Sequence, residues 1–295
     1  MRRAVVAGVA AAIALVGCAP QEQQQAGGGT GSPAADQCQK ENLNLLEPGQ
    51  LTIGTDNPAF PPWFEGGTSE DSPWEINDPA TGEGFESAVA YAVAGELGFA
   101  EDEVVWVEVP FNQSFKPGEK DFDFDINQIS YASKRDQAVD FSESYYDVNQ
   151  ALVAVEGNPI AESTSLAELQ DAKLGAPIGT TSYDYIVNNI QPSEDPGVYD
   201  TNNDAISALE NGQIDGVVVD LPTAFFITAV QVKDGVIVGQ FPTVGEQEYF
   251  GMVFAEGNPL VPCVDQALQT LKADGTLAAI QQEWLADKAD APVLE

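Results

Sequence analysis

The sequence predicts an α/β protein whose sheets are mainly parallel. Strand-like and helix-like runs alternate from residue 51 to residue 288. The largely apolar run at residues 214–219 is bounded by turn residues, as suits a strand covered on both sheet faces. Helical runs stop at Gly98 and at Asn211-Gly212, residues that cap helix ends.

Taken in order, residues 51–55 read as a short strand. It runs into Asp56-Asn57-Pro58-Ala59-Phe60-Pro61-Pro62-Trp63-Phe64, where three prolines forbid regular structure and leave a stiff aromatic loop suited to a ligand wall. Residues 85–97 are good helix formers. Residues 104–109 read as strand, and residues 122–126 alternate apolar and acidic side chains, also a strand signal. Asp121, Asp123 and Asp125 suggest a calcium loop, but Ile126 and Ala132 stand where its glycine and closing glutamate belong, so that reading is rejected. Further strands are expected at 151–155, 173–176, 214–219 and 236–238, and helical segments at 165–169, 182–190, 203–210 and 222–232. A strand at 249–254 and helices at 264–272 and 277–288 complete the chain.

The 295 residues leave room for about two domains and a sizeable core. With 47 acidic against 11 basic residues the net charge is -36, which repels nucleic acid and anionic lipid alike. The chain has no histidine, so the commonest neutral-pH acid/base group and transition-metal ligand is missing. No metal or other cofactor is expected.

Arg2 and Arg3 precede an apolar run at residues 4–16, too short to span a bilayer and right for a signal peptide. It ends in Leu15-Val16-Gly17-Cys18, which resembles the bacterial lipobox. The expectation is cleavage after residue 17 and a lipid on Cys18, anchoring the protein to the extracytoplasmic face of the membrane. Residues 19–42, polar and rich in Gln and Gly, read as a flexible tether. Cys38 and Cys263 then remain; an exported chain favours one bridge, two buried thiols being the alternative.

Six segments in order resemble the bacterial extracellular solute-binding proteins of family 3, the polar amino-acid branch. They are GTDNPAFPPWF, GFESAVAYAVAGELGF, FDFDINQISYASKRDQAVDFSESYY, LGAPIGTTSYDYI, NGQIDGVVVDLP and LKADGTLAAIQQEWL. The resemblance spans residues 43–288 and implies a two-lobed, periplasmic-binding-protein-like (type II) fold with a ligand cleft between the lobes. Lobe one would be 43–147 plus 245–295, and lobe two 148–244. The implied function is the solute-binding component of an ABC importer. It would capture a small zwitterion, an amino acid, by lobe closure and deliver it as a monomer to membrane permease subunits. The sequence departs from the family pattern at Tyr131-Ala132-Ser133-Lys134, at Asn127 and Gln128, and in an insertion between Gly66 and Asp78.

An α-amino acid offers a carboxylate and an ammonium at fixed spacing. Arg135 can hold the carboxylate in a bidentate fork, helped by the hydroxyls of Ser130, Thr180 and Thr181 and by helix N–H groups. Asp220 can accept from the ammonium, Phe60 or Trp63 can pack on the ligand's side chain, and Gln128 can read its far end. Asp56 and Glu86 are further cleft candidates. Each has a plainer reading: Arg135 as a surface ion-pair partner, Asp220 and Thr181 as helix caps, Phe60 and Trp63 as core, Asp56 and Glu86 as solvated or capping groups. Two other functions compete, an exported dehydratase-like enzyme on the same fold and a sensory or structural lipoprotein.

Overall fold

The computed structural model describes residues 37–285 and 291–295. Cys18 and residues 19–36 of the expected tether lie outside the described residues. Among the described residues no helix is long and apolar enough to cross a membrane.

The chain lays down β1 (Leu51–Thr55), β2 (Val104–Glu108), β3 (Phe124–Asp125), β4 (Val139–Phe141) and β5 (Tyr146–Asp147). It then builds β6 (Gln150–Val155), β7 (Leu174–Pro177), β8 (Gly197–Tyr199), β9 (Gly216–Asp220) and β10 (Gly235–Gln240), and returns through β11 (Tyr249–Phe250) and β12 (Val253–Ala255). One sheet has the order β2-β1-β3-β12-β4 and a second the order β10-β6-β9-β7-β8. The two lobes each carry one of these sheets. They are joined by crossovers that pair side by side as β5 and β11, Tyr249 opposite Asp147.

The sheets are mixed, not mainly parallel. β1 lies parallel to β2 and β3, and β7 parallel to β8 and β9, as helical crossovers require. β12 runs antiparallel to β3 and β4, and β6 antiparallel to β9 and β10. β6 and β12 each arrive from the other lobe, so no helix in their own lobe dictates their direction.

The core of lobe one is formed by α1 (Phe85–Glu96) and the two late helices packed on the first sheet, with Phe85, Val89, Val264, Leu268 and Leu285 fully buried. Residues on both faces of the second sheet are buried, Val217 and Val219 on one and Leu152 and Val218 on the other, as the apolar run at 214–219 implies. Its helices are α2 (Thr181–Tyr185), α3 (Asn202–Glu210) and α4 (Leu221–Phe226); α2 and α4 each continue as a π-type turn. α5 (Val261–Ala273) and α6 (Thr276–Leu285) close lobe one. Gly84 precedes α1 with φ 96°, and a Cβ there would lie 2.5 Å from the Phe64 Cα. Glycine therefore lets the aromatic loop lie directly against the start of α1.

Cys38 and Cys263 form a disulfide across a sequence separation of 225. A loop of that length is worth on the order of 5 kcal/mol in the chain-entropy picture. The tether expected to reach residue 42 is therefore shorter. Cys38 is bonded to α5, and Lys40 pairs with Glu103 at 2.5 Å and lies over the Phe99 ring. The expected extent of lobe one through residue 295 also needs correction. Residues 291–295 lie on the second sheet, where Gln240 N–H donates to Pro292 O and Leu294 N–H donates to Gln240 O.

Candidate ligand site between the lobes

A cavity of about 220 Å³ opens between the two sheets. From lobe one it is lined by Asp56, Phe60, Asn127, Gln128, Ser130 and Arg135, and from lobe two by Thr180, Thr181 and Asp220. β1 delivers Asp56 at its end, and the segment after β3 delivers Asn127 to Ser130. α2 begins at the cavity, and β9 ends in Asp220 at its rim. Strand ends and helix starts therefore converge on the cleft.

Arg135 is only 8% exposed, so a surface ion pair is excluded. Its Nη1 donates to Ser130 O at 2.6 Å and its Nη2 to Gly179 O of the other lobe at 2.7 Å. The guanidinium lies 4.3 Å from the centre of the Phe115 ring. Burial pulls its pKa down to about 10, opposed by Glu248 and Asp184, and it remains cationic at neutral pH.

Asp220 combines two roles. Its Oδ1 caps α4 by accepting from Thr223 N–H at 2.9 Å, and the residue also lines the cavity. Burial pushes its pKa up to about 6, with the Thr223 bonds opposing and Glu248 adding. Asp56 is likewise raised to about 6 by burial, opposed by the Asn57 N–H and reinforced by Glu108. On α2 the cap is Thr180, whose Oγ1 accepts from Tyr183 N–H at 3.1 Å, and not Thr181. Thr181 Oγ1 lies 3.3 Å from Ser130 Oγ across the cleft.

Glu86 is fully buried behind the cavity and organises Gln128. It accepts from Gln128 N–H at 2.7 Å, from the Gln128 side-chain amide and from the Tyr145 hydroxyl. These bonds hold Gln128 at φ 46°, a conformation non-glycine residues rarely adopt. They tie up one N–H of its side-chain amide, and the residue lines the cavity. Burial raises the Glu86 pKa to about 7 against the opposing Tyr145 and Gln128 bonds.

Two expectations change. Trp63 does not line the cavity; it is 1% exposed, with the centres of the Phe85, Tyr146 and Phe250 rings 5.6 to 5.8 Å away. Phe60 lines the cavity, 6.4 Å from Phe226 of lobe two. Ser130 does not offer its proton to the cleft; its hydroxyl donates to Glu248 Oε1 at 2.6 Å.

The sequence reading missed Gln150 and Glu248. Gln150 lines the cavity, and its Nε2 donates to Glu248 Oε1 at 3.0 Å. One signal was available: Gln150 opens an otherwise apolar strand and is 4% exposed. The inserted segment packs onto the aromatic loop, with Asn77 Nδ2 donating to Ala59 O at 2.9 Å and Asn57 Nδ2 donating to Pro73 O at 3.1 Å.

Two lobes, two crossovers and a polar cavity closed by bonds from both sides define a cleft-type solute-binding protein. The match to the family model of bacterial extracellular solute-binding proteins, family 3, runs over residues 65–287, and the chain belongs to that family. The L-cystine-binding protein TcyJ of Escherichia coli (strain K12) is 26% identical over 248 residues, 81% of this chain and 84% of that protein. A probable histidine-binding protein of Neisseria gonorrhoeae is 25% identical over 294 residues, 97% of this chain and 96% of that protein. Among solved structures, an ancestral arginine-binding protein bound to arginine is 26% identical with a TM-score of 0.63, covering 80% of this chain and 98% of that one.

Proposed function

We propose that this protein is the monomeric, lipid-anchored binding component of an ABC importer, and that its solute is an amino acid carrying net positive charge. The observation that carries this reading is that Arg135 and Asp220 line one cavity from opposite lobes. A zwitterion spanning the cleft would meet Arg135, Thr181 and the start of α2 at its carboxylate and Asp220 at its ammonium. Closure would complete both contacts at once. Asp56 then remains as an acceptor for the ligand's far end, with the Gln128 side chain beside it on the same wall. One cation against three carboxylates on the wall, Asp56, Asp200 and Asp220, favours a ligand with a second cationic group. Similarity to proteins named for arginine and histidine supports that class.

A thermal-shift panel of basic, neutral and acidic amino acids tests the reading. A basic amino acid at 100 times its Kd should stabilise the protein by about 2.7 kcal/mol. A panel in which no amino acid raises the unfolding midpoint overturns it. Recovery of the bound compound chemically unchanged separates binding from the dehydratase-like alternative. For the anchor, Cys18→Ser should move the protein out of the membrane fraction; retention there would refute lipidation.

A further inference from the structure

Glu248 sits on the returning crossover, half-buried, where the two lobes meet. Its Oε1 accepts from Ser130 Oγ of lobe one at 2.6 Å and from Gln150 Nε2 of lobe two at 3.0 Å. The Gln150 Nε2 also reaches Thr181 Oγ1 at 3.4 Å, and Ser130 Oγ and Thr181 Oγ1 are 3.3 Å apart. The Gln150 carbonyl is fixed in turn by the Ser182 hydroxyl at 2.6 Å. The Glu248 carboxylate is thus tied into both walls on the donors that would otherwise serve an anion beside Arg135.

A hydroxyl has one proton. With the Ser130 proton on Glu248, the Ser130 oxygen faces the cleft as an acceptor. If the Thr181 proton points to Ser130, the chain of hydroxyls runs toward Glu248 and away from the ligand. The negative charge of Glu248 also lies near Arg135, the cation that would hold a ligand carboxylate. A second carboxylate brought to this end must share one guanidinium with Glu248 and finds fewer donors.

We propose that Glu248 is a resident carboxylate that tunes affinity at the cleft's anion-binding end. It partly satisfies the cleft's own anion-binding donors and so weakens the hold on a ligand's carboxylate. The inference extends the reading of the cleft as an amino-acid site, yet its central element, competition between Glu248 and an added carboxylate, is tested without any amino acid.

Acetate is the probe, titrated into wild type, Glu248→Gln and Glu248→Leu and followed by backbone amide NMR shifts. The Gln variant removes the charge and the Leu variant also removes the acceptor, so either one, once folded, is decisive. Each should bind acetate at least ten-fold more tightly than wild type, and Arg135→Ala in the same background should abolish the gain. Unchanged acetate affinity in a folded variant overturns the proposal, as does a gain that survives Arg135→Ala. In parallel, Glu248→Gln should tighten arginine binding several-fold while leaving agmatine, its carboxylate-free analogue, within two-fold. A tenfold acetate gain with no amino acid bound by any protein would sink the amino-acid reading and leave the role of Glu248 standing. Amino-acid binding with no acetate gain would do the reverse.

Discussion

The Trp63 indole nitrogen donates to the Thr223 hydroxyl at 3.0 Å, joining the aromatic loop of lobe one to the helix that Asp220 caps in lobe two. This bond exists only when the lobes are together. Trp63→Phe keeps an aromatic ring for the cluster and removes the N–H. A neutral hydrogen bond is worth about 1 kcal/mol net, so ligand affinity should fall about five-fold. The loss should appear as faster release in stopped-flow traces, with the circular dichroism spectrum unchanged. Wild-type release from the variant would mean that the bond contributes nothing to closure.

Arg135 and Asp220 hold opposite ends of the proposed ligand. Removing either leaves a desolvated ligand charge unpaired, which costs about 2–5 kcal/mol. Arg135→Ala and Asp220→Ala should therefore bind roughly thirty-fold to several-thousand-fold more weakly. Arg135→Lys should also bind poorly, because a point charge cannot replace the planar fork. Asp220 must be ionised to accept an ammonium, and burial sets its pKa at about 6. Affinity should be level near neutral pH and fall as pH drops below about 6. Asp220→Asn should bind weakly at every pH with a flatter profile, as calorimetry across pH will read.

The buried Glu86 makes a separate prediction about stability. Its folded pKa, about 7, lies above its ordinary value of 4.5. Between these values the native state holds a proton that the unfolded state has released, so its contribution to stability grows as pH falls from about 7 to about 4.5. The unfolding midpoint of the wild type should rise over that range. Mutual repulsion in a chain of charge -36 has the same sign, so the comparison that isolates Glu86 is with Glu86→Gln. That variant should show a shallower rise. It should also bind ligand less well, since an amide facing the Gln128 amide forces one of them to turn. Identical slopes for the two proteins would place the titration elsewhere.

Much of this site was legible because its residues sit in local motifs. Arg135 and Ser130 follow β3, Thr180 and Thr181 open a helix, and Asp220 ends an apolar strand, all readable within a few residues. Trp63 was not, since an aromatic residue after a strand looks the same whether it faces core or ligand; its packing against the rings of Phe85, Tyr146 and Phe250, all distant in sequence, puts it in the core. The tie between Gln150 and Glu248 joins residues 98 apart, and no local pattern reports it. The strand expected at 122–126 shrinks to Phe124–Asp125, although Asp123 N–H still donates to Thr52 O and Ile126 N–H to Gly54 O; the Asp123 carboxylate adds bonds from the N–H groups of Leu46 and Thr52. The mixed sheets arise from which lobe each strand enters, a property of topology and not of side chains.

The segment 291–295 makes a third link between the lobes, beyond the two crossovers. α6 ends at Leu285, fully buried in the core of lobe one, while Leu294 is buried against the second sheet. The link is held by backbone bonds from Gln240 to Pro292, from Leu294 to Gln240, from Glu295 to Thr164 and from Leu166 to Glu295. The Gln240 side chain also donates to Ala291 O at 2.6 Å. Deleting residues 291–295 exposes the surface under Leu294, a loss of about 1.5–3 kcal/mol for one such side chain. It also leaves the buried Gln240 amide without that acceptor. Lobe two should therefore lose hydrogen-exchange protection around β10, while lobe one keeps its own. A chain tied at three places opens less freely than one tied at two. The deletion should thus raise the ligand-free radius of gyration in small-angle scattering and weaken binding, because more of the free protein must close. Leu294→Ala separates the two effects: it lowers the stability of lobe two while keeping the backbone link, so its radius of gyration should stay near that of the wild type. Equal expansion in both variants would show that the segment acts through lobe stability and not as a strap.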